Sequence, residues 1–208
     1  MKHTSIQYFL SDDGIFPNNM LPVLHYKKVI SIPLPACFNY AWFKFIFFEN
    51  DWPNNHKSGI AVSHRYHSNT HKVLGVCSGK TILQLGGENG IHINIIKGDV
   101  LIIPAGVAYK NLGQENNVTC VAGYTEGIEC DVQYGKPRER PVTDISIALA
   151  PFPGTDPVLG RGAGLVKIWK QVERMSAAKY FRSTPMNNRK HSCILFSPRY
   201  LLKQCGLN

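Results

Sequence analysis

The segment from Ile60 to Tyr124 places the tightest limit on the fold. "IAVSHRYH", "HKVLGVCSG", "KTILQLG", "IHINIIKG", "DVLIIPAG" and "VTCVAGY" are short, apolar strand candidates. "GGENG", "KGD", "PAG" and "GQENN" separate several of them. Apolar runs this short, with turn formers at intervals of about 8–12 residues, predict a β-sandwich or barrel rather than a β/α alternation. Gly98 in "KGD" is free to take positive φ at a tight turn. Pro104 in "IIPAG" ends an apolar strand at a residue with no ladder donor.

The flanks read differently. "SDDG", "FPNNMLP" and "SIPLP" make residues 1–35 an extended, irregular arm against the barrel, with a short helix towards its end; Asp12 and Asp13 serve there as turn and cap residues. "YAWFKFIFF" is aromatic and reads as a strand at the start of a barrel domain spanning 36–150. From Asp131 the chain is rich in proline and glycine, as in "GKPRERP" and "APFPGTDPVLGRGAG", and is expected to wrap a finished body. "LVKIWKQVERMSAAKYF" is one amphipathic helix, in an extension covering 151–178, and 179–208 is expected to be a poorly ordered basic tail.

Charge follows the same division. The formal charge of +9 arises almost wholly after residue 166, where nine Lys and Arg face the single acid Glu173. A near-neutral body with a basic end argues against a specific nucleic-acid surface. Six cysteines without CxxC spacing read as free thiols in a reducing compartment, hence a cytoplasmic protein. The most apolar window, "AWFKFIFF", is too short and too interrupted by Lys44 to cross a bilayer, so no membrane partner is expected. P-loop and GxGxxG patterns are absent, and Cys77 reads as a small buried residue.

Two spacings carry more information. The first is Gly59, five residues, Arg65, Tyr66, His67, four residues, Lys72, six residues, Gly79. The second is Gly98, five residues, Pro104, Ala105, Gly106, two residues, Tyr109, three residues, Gly113. These spacers are similar to the two motifs of the cupin family. "DDGIFPNNMLPVLHY", "YHSNTHKVLGVCSG", "LGGENG", "GDVLIIPAGVAYKNLG" and "PFPGTDPVLGRGAGL" resemble more narrowly the YjlB-type cupins, over about residues 8–170. The resemblance implies an all-β fold, the cupin double-stranded β-helix or jelly-roll barrel, with an extended N-terminal arm and a short C-terminal helix and tail. It also implies a homodimer.

The same resemblance implies that three histidines and a glutamate facing the barrel interior hold a metal. Those four positions here are Arg65, His67, Lys72 and Tyr109. Two cations stand where ligands belong, and like charges about 4 Å apart repel by about 4 kcal/mol at an effective dielectric near 20. The expectation is a lost metal site with no cofactor. Arg65, His67, Lys72 and Tyr109 would then line a pocket for a small, anionic molecule.

Two alternatives stay open. One is a metal-dependent cupin enzyme, an oxygenase or isomerase, in which His67 joins His64 or His71 around one divalent ion. His64 lies an odd number of residues from His67 and faces away on a regular strand, whereas His71 could swing inward. The other is a non-catalytic regulatory or structural protein whose basic tail contacts a partner. If there is turnover without a metal, acid–base isomerisation is the class implied, by analogy with metal-free cupin sugar epimerases that use His, Lys, Tyr and Arg. A bland arrangement, with Arg65 and Lys72 turned outward or paired to Glu88 or Glu126, is equally open.

Overall fold

A computed structural model of the chain describes residues 5–31 and 35–183. Eight strands build one antiparallel sheet system: β1 (Ser5–Leu10), β2 (Asn19–Tyr26), β3 (His56–Ser58), β4 (Lys72–Leu85), β5 (Ile91–Ile96), β6 (Val100–Ile103), β7 (Tyr109–Asn111) and β8 (Val118–Tyr124). The main path runs β1-β2-β6-β4-β8-β3, while β5 and β7 pair with the far end of β4. Three helices stand outside it: α1 (Ala36–Glu49), α2 (Val142–Leu149) and α3 (Leu165–Ser183). Two short strands, β9 (Thr155–Asp156) and β10 (Gly160–Arg161), form a separate hairpin.

β4 is the element on which the barrel turns. "HKVLGVCSG" and "KTILQLG", expected as two strands, are one strand of 14 residues. Its register against β8 slips between Val76 and Ser78, and Gly79 follows at φ +78°. A Cβ there would lie 1.9 Å from the Asn117 carbonyl oxygen, so only glycine fits. Before this irregularity β4 pairs with β6 and β8; after it, with β5 and β7. The bend lets one strand serve both walls, as a bulge does.

Alternation along the strands sorts the core into two layers. Leu74, Val76, Leu101, Ile103, Cys120 and Ala122 fill the barrel interior. Val73, Ile102 and Val121 face outward and are covered by Phe43 and Phe47 of α1 and Trp169 of α3. Each such buried side chain contributes about 1.5–3 kcal/mol relative to exposure.

Several expectations for the flanks need correction. Residues 36–49 form α1 rather than a strand: the segment holds a single β-branched residue, Ile46, follows Pro35, and stops at Asn50 before Asp51 at φ +62°. The arm is extended but not irregular, since β1 pairs with β2 and β2 pairs with β6 in the main sheet. "IAVSHRYH" is a loop with only isolated bridges at Arg65 and Tyr66. α2 was not foreseen. α3 forms where expected, extending to Ser183; the remainder of the expected tail, 184–208, lies outside the described residues.

The C-terminal extension is held by one buried carboxylate. Asp156 accepts from Tyr26 Oη at 2.6 Å and from the backbone N–H groups of Val158, Leu159 and Leu165. The last of these satisfies an orphan donor at the start of α3. A Cβ on Gly164 would lie 2.2 Å from Asp156 Oδ2 and 2.4 Å from Tyr26 Oη, which explains the glycine in "RGAGL".

Candidate functional site

Lys72 opens β4 on the face shared with Leu74 and Val76, so its side chain enters the barrel. Register sets it opposite Tyr124 of β8, itself in line with the inward Cys120 and Ala122. Tyr109 opens β7 and exchanges both backbone hydrogen bonds with Arg65, at 3.2 and 3.0 Å. His67 lies two residues on and is fixed through its own backbone, whose carbonyl accepts from Gly106 N–H at 2.7 Å. Three separate stretches of chain thus deliver their side chains to one end of the barrel.

The polar atoms form a chain. Lys72 Nζ donates to Tyr109 Oη at 2.7 Å and lies 3.5 Å from His67 Nε2. Tyr109 Oη lies 3.2 Å from the same Nε2, and His67 Nδ1 donates to the Asp131 carbonyl oxygen. The ammonium also sits 5.1 Å from the Tyr109 ring centre and 5.6 Å from that of Tyr124, within cation–π range. The Tyr124 ring meets His67 edge-on at 5.5 Å.

Electrostatics follow from burial. His67 is pushed down to about 4, first by burial and then by the Lys72 charge, with Arg65 adding to both. Burial, then a hydrogen bond to Cys130, pushes the Tyr124 phenol up. Burial would raise the Asp131 carboxyl, but Ser68, Gln133 and the Ser68 and Asn69 backbone N–H groups outweigh it and hold it below the usual carboxylate range. Those bonds, 2.5 Å from Ser68 Oγ and 2.9 Å from Gln133 Nε2, tie the 67–69 loop to Asp131 and so set the tautomer of His67.

Arg65 is half-buried, with its guanidinium carbon 5.9 Å from the Tyr134 ring centre, and its Nε is buried without a hydrogen-bond partner. Among the described residues no carboxylate lies within ion-pair distance of either Arg65 or Lys72. Glu88, one of the outward partners considered for them, bonds Lys110 at 3.0 Å and lies 3.5 Å from His64 instead.

The alternative trio His64, His67 and His71 is not assembled. His71 precedes Lys72 on the strand and takes the opposite side: its ring packs 4.9 Å from Trp169 and Nδ1 accepts from Ala105 N–H at 3.0 Å. Burial pushes it down to about 3. It does not swing inward. The His64 ring packs 5.1 Å from Phe16 near Glu88, and burial, then Lys110, lowers its pKa. Three rings pointing three ways do not fit one ion, and among the described residues no three His, Cys, Asp or Glu converge as a metal-binding group.

Tyr124 and Asp131 belong to this site and were missed. Period-two alternation through Cys120, Ala122 and Tyr124 could have flagged the first. Asp131 acts through a loop contact for which the sequence holds no spacing signal.

An antiparallel barrel carrying the spacing of both motifs, with His67, Lys72 and Tyr109 meeting at one end and Arg65 bonded to Tyr109 through its backbone, defines a cupin-fold protein. The chain is 33% identical over 170 residues to "Uncharacterized protein YjlB" of Bacillus subtilis (strain 168), covering 81% of this chain and 99% of that protein. It belongs to that protein's family. No protein-family profile matches the chain. Among solved structures it is similar to acireductone dioxygenase from Bacillus anthracis, with a cadmium ion in its active centre, at TM-score 0.38 and 13% identity over 52% of this chain and 80% of that one. It is also similar to procruciferin, an 11S globulin from Brassica napus, at TM-score 0.32 and 18% identity over 40% of this chain and 22% of that one.

Proposed function

We propose that this cupin binds a small anionic molecule at the barrel end formed by Arg65, His67, Lys72 and Tyr109, without a metal ion. One observation supports the reading: Lys72 is buried against His67 and Tyr109, Arg65 is bonded through its backbone to that same Tyr109, and among the described residues neither cation has a carboxylate partner. An uncompensated buried cation costs several kcal/mol, and a carboxylate or phosphate ligand offsets that cost on arrival. Arg65 supplies a planar donor fork and Lys72 a compact charge with donors to spare. Tyr109 and the neutral His67 orient Lys72 from behind. The same groups could exchange protons with a bound ligand, which keeps acid–base isomerisation as the enzymatic form of this proposal. In this reading the protein works in the cytoplasm as a homodimer; among the described residues no helix is long and apolar enough to cross a membrane.

Calorimetric titration with phosphate, sulfate, and mono- and dicarboxylates tests the proposal, alongside elemental analysis of untagged protein. Saturable binding of at least one anion, lost in Arg65→Gln, is the expected result. Absence of anion binding, together with a stoichiometric metal that disappears in His67→Ala, would overturn it.

A further inference from the structure

A groove of about 560 Å³ opens where α1 ends, between Phe48, Glu49, Asp51, Thr125, Glu126 and Pro153. Separate stretches of chain build it, and their backbones are joined. Asp51 N–H donates to the Phe48 carbonyl at 3.2 Å, and the Asp51 carbonyl accepts from Glu126 N–H at 3.0 Å. Thr155, also in the lining, donates through Oγ1 to the Asn50 carbonyl, and its own carbonyl accepts from Trp52 Nε1 at 3.2 Å. Trp52 is fully buried, so the wall is anchored in the core.

The groove is negative. Glu49, Asp51 and Glu126 are exposed in it, and none of the three has an ion-pair partner among the described residues. The end of α1 adds the negative pole of a helix dipole, with no basic residue in its last turn to offset it. Carboxylates alone would make only a solvated rim. Thr125 points independently to a ligand. It is 1% exposed, and its Oγ1 is buried without a hydrogen-bond partner among the described residues. Tyr124 before it is extended, at φ −134° and ψ 149°, and faces the barrel, so Thr125 turns the other way, towards the groove it lines. A buried hydroxyl left unmet is costly, and a donor arriving in the groove removes that cost.

The chemistry of the occupant follows: it is cationic and it donates hydrogen bonds. Among the described residues no three His, Cys, Asp or Glu converge as a metal-binding group, so the three charges are spread along the groove and one ion does not meet them. Phe48 is 63% exposed and offers its ring to methylene groups and to a neighbouring ammonium. The volume falls in the range of about 300–1,000 Å³ that small-molecule sites occupy. We infer that this groove binds a linear di- or polyamine. Its ammonium groups lie against Glu49, Asp51 and Glu126, one of them donates to Thr125 Oγ1, and its alkyl chain runs along Phe48. The inference does not rest on the anion reading, since Tyr124 and Thr125 put the two sites on opposite sides of the end of β8.

Calorimetric titration of the full chain with spermidine and with n-butylamine, with Mg²⁺ and Ca²⁺ as competitors, tests this. The protein carries a formal charge of +9, so a polycation has no overall attraction to it and its capture reports the local charge. The expected result is saturable binding of spermidine at one site, weakened by salt and stronger than that of the singly charged butylamine. The Asp51→Asn, Glu126→Gln double variant, an exposed change that keeps the shape of both side chains, weakens spermidine binding about fivefold or more. Thr125→Val exchanges the hydroxyl for a methyl and weakens it about tenfold. The Tm of that variant stays at the wild-type value or rises, which loss of a structural hydroxyl would not give. No saturable spermidine binding, an affinity unmoved by both variants, equal affinity for butylamine, or displacement by stoichiometric Mg²⁺ or Ca²⁺ would each overturn the inference.

Discussion

Lys72 Nζ and Tyr109 Oη lie 2.7 Å apart, and the direction of the proton between them is fixed from the far end. His67 Nδ1 faces a carbonyl and must donate, so Nε2 is an acceptor. Tyr109 fills that acceptor and is left to receive from Lys72. Every proton in the row points the same way, from the cation towards the Asp131 carbonyl. The imidazole stays neutral while the ammonium keeps its remaining donors for something else.

Lys72→Met should separate ligand binding from stability. Lys72 is 7% exposed and has no carboxylate partner among the described residues, so an apolar side chain of similar length removes a buried charge at little packing cost. We expect the unliganded variant to melt at the wild-type temperature or above it, by up to about 1 kcal/mol of added stability. The anion that raises the wild-type Tm should no longer do so. A large drop in Tm would mean that Lys72 is compensated and that its role is structural.

Tyr109→Phe removes the middle of the row without changing its shape. Lys72 loses its shortest hydrogen bond and His67 Nε2 loses its donor, each inside the barrel. Without the phenol the ammonium is no longer held in place for a ligand; if that weakens one charged hydrogen bond to the anion, worth about 1.5–3 kcal/mol, affinity should fall by about tenfold or more. Calorimetry on the variant gives the answer directly; unchanged affinity would place the ligand away from Tyr109.

Acid should destabilise the protein through its buried histidines. His67 sits at about 4 and His71 at about 3, both below the value near 6.5 of an unfolded chain. Their depressed values stabilise the fold fully above about pH 6.5, and that contribution is lost as pH falls towards 4, because the unfolded chain then binds more protons. For His67 alone the span amounts to about 3 kcal/mol. Urea denaturation at steps between pH 7 and pH 4 should show stability falling, and His67→Asn, which keeps a donor for the Asp131 carbonyl, should flatten the slope by about one proton. An unchanged slope would return His67 to an ordinary, solvated imidazole.

What the sequence disclosed of this site follows physical lines. Lys72 and Tyr109 were legible only through the resemblance, whose motifs assign those two positions to the barrel interior; neither residue type would have been placed there by its own chemistry. His67 meets them although its segment is not a strand, so the period-two argument that put it on one face with Arg65 did not apply there. Asp131 orients His67 through a loop, and nothing local encodes that contact. α1 was misread because its outer positions are as aromatic as its inner ones, which erases the 3.6-residue signal. Only packing against β4 decides between helix and strand there.

That packing makes a final prediction at Gly75, in the centre of β4. A Cβ at this position would lie 2.6, 2.7 and 2.9 Å from three ring carbons of Phe43. Phe43 is fully buried and held by Trp42 and Phe47, with ring centres 5.4 and 5.6 Å away, so it has nowhere to retreat. The backbone at Gly75 does not take positive φ, so alanine is sterically acceptable to the strand itself and the cost comes from overpacking. Gly75→Ala should destabilise by about 1–3 kcal/mol. In a Phe43→Leu background, itself destabilised by the lost ring, the added methyl should cost much less, and urea denaturation of the four proteins measures the coupling. Additive effects in that cycle would mean that α1 does not rest on Gly75.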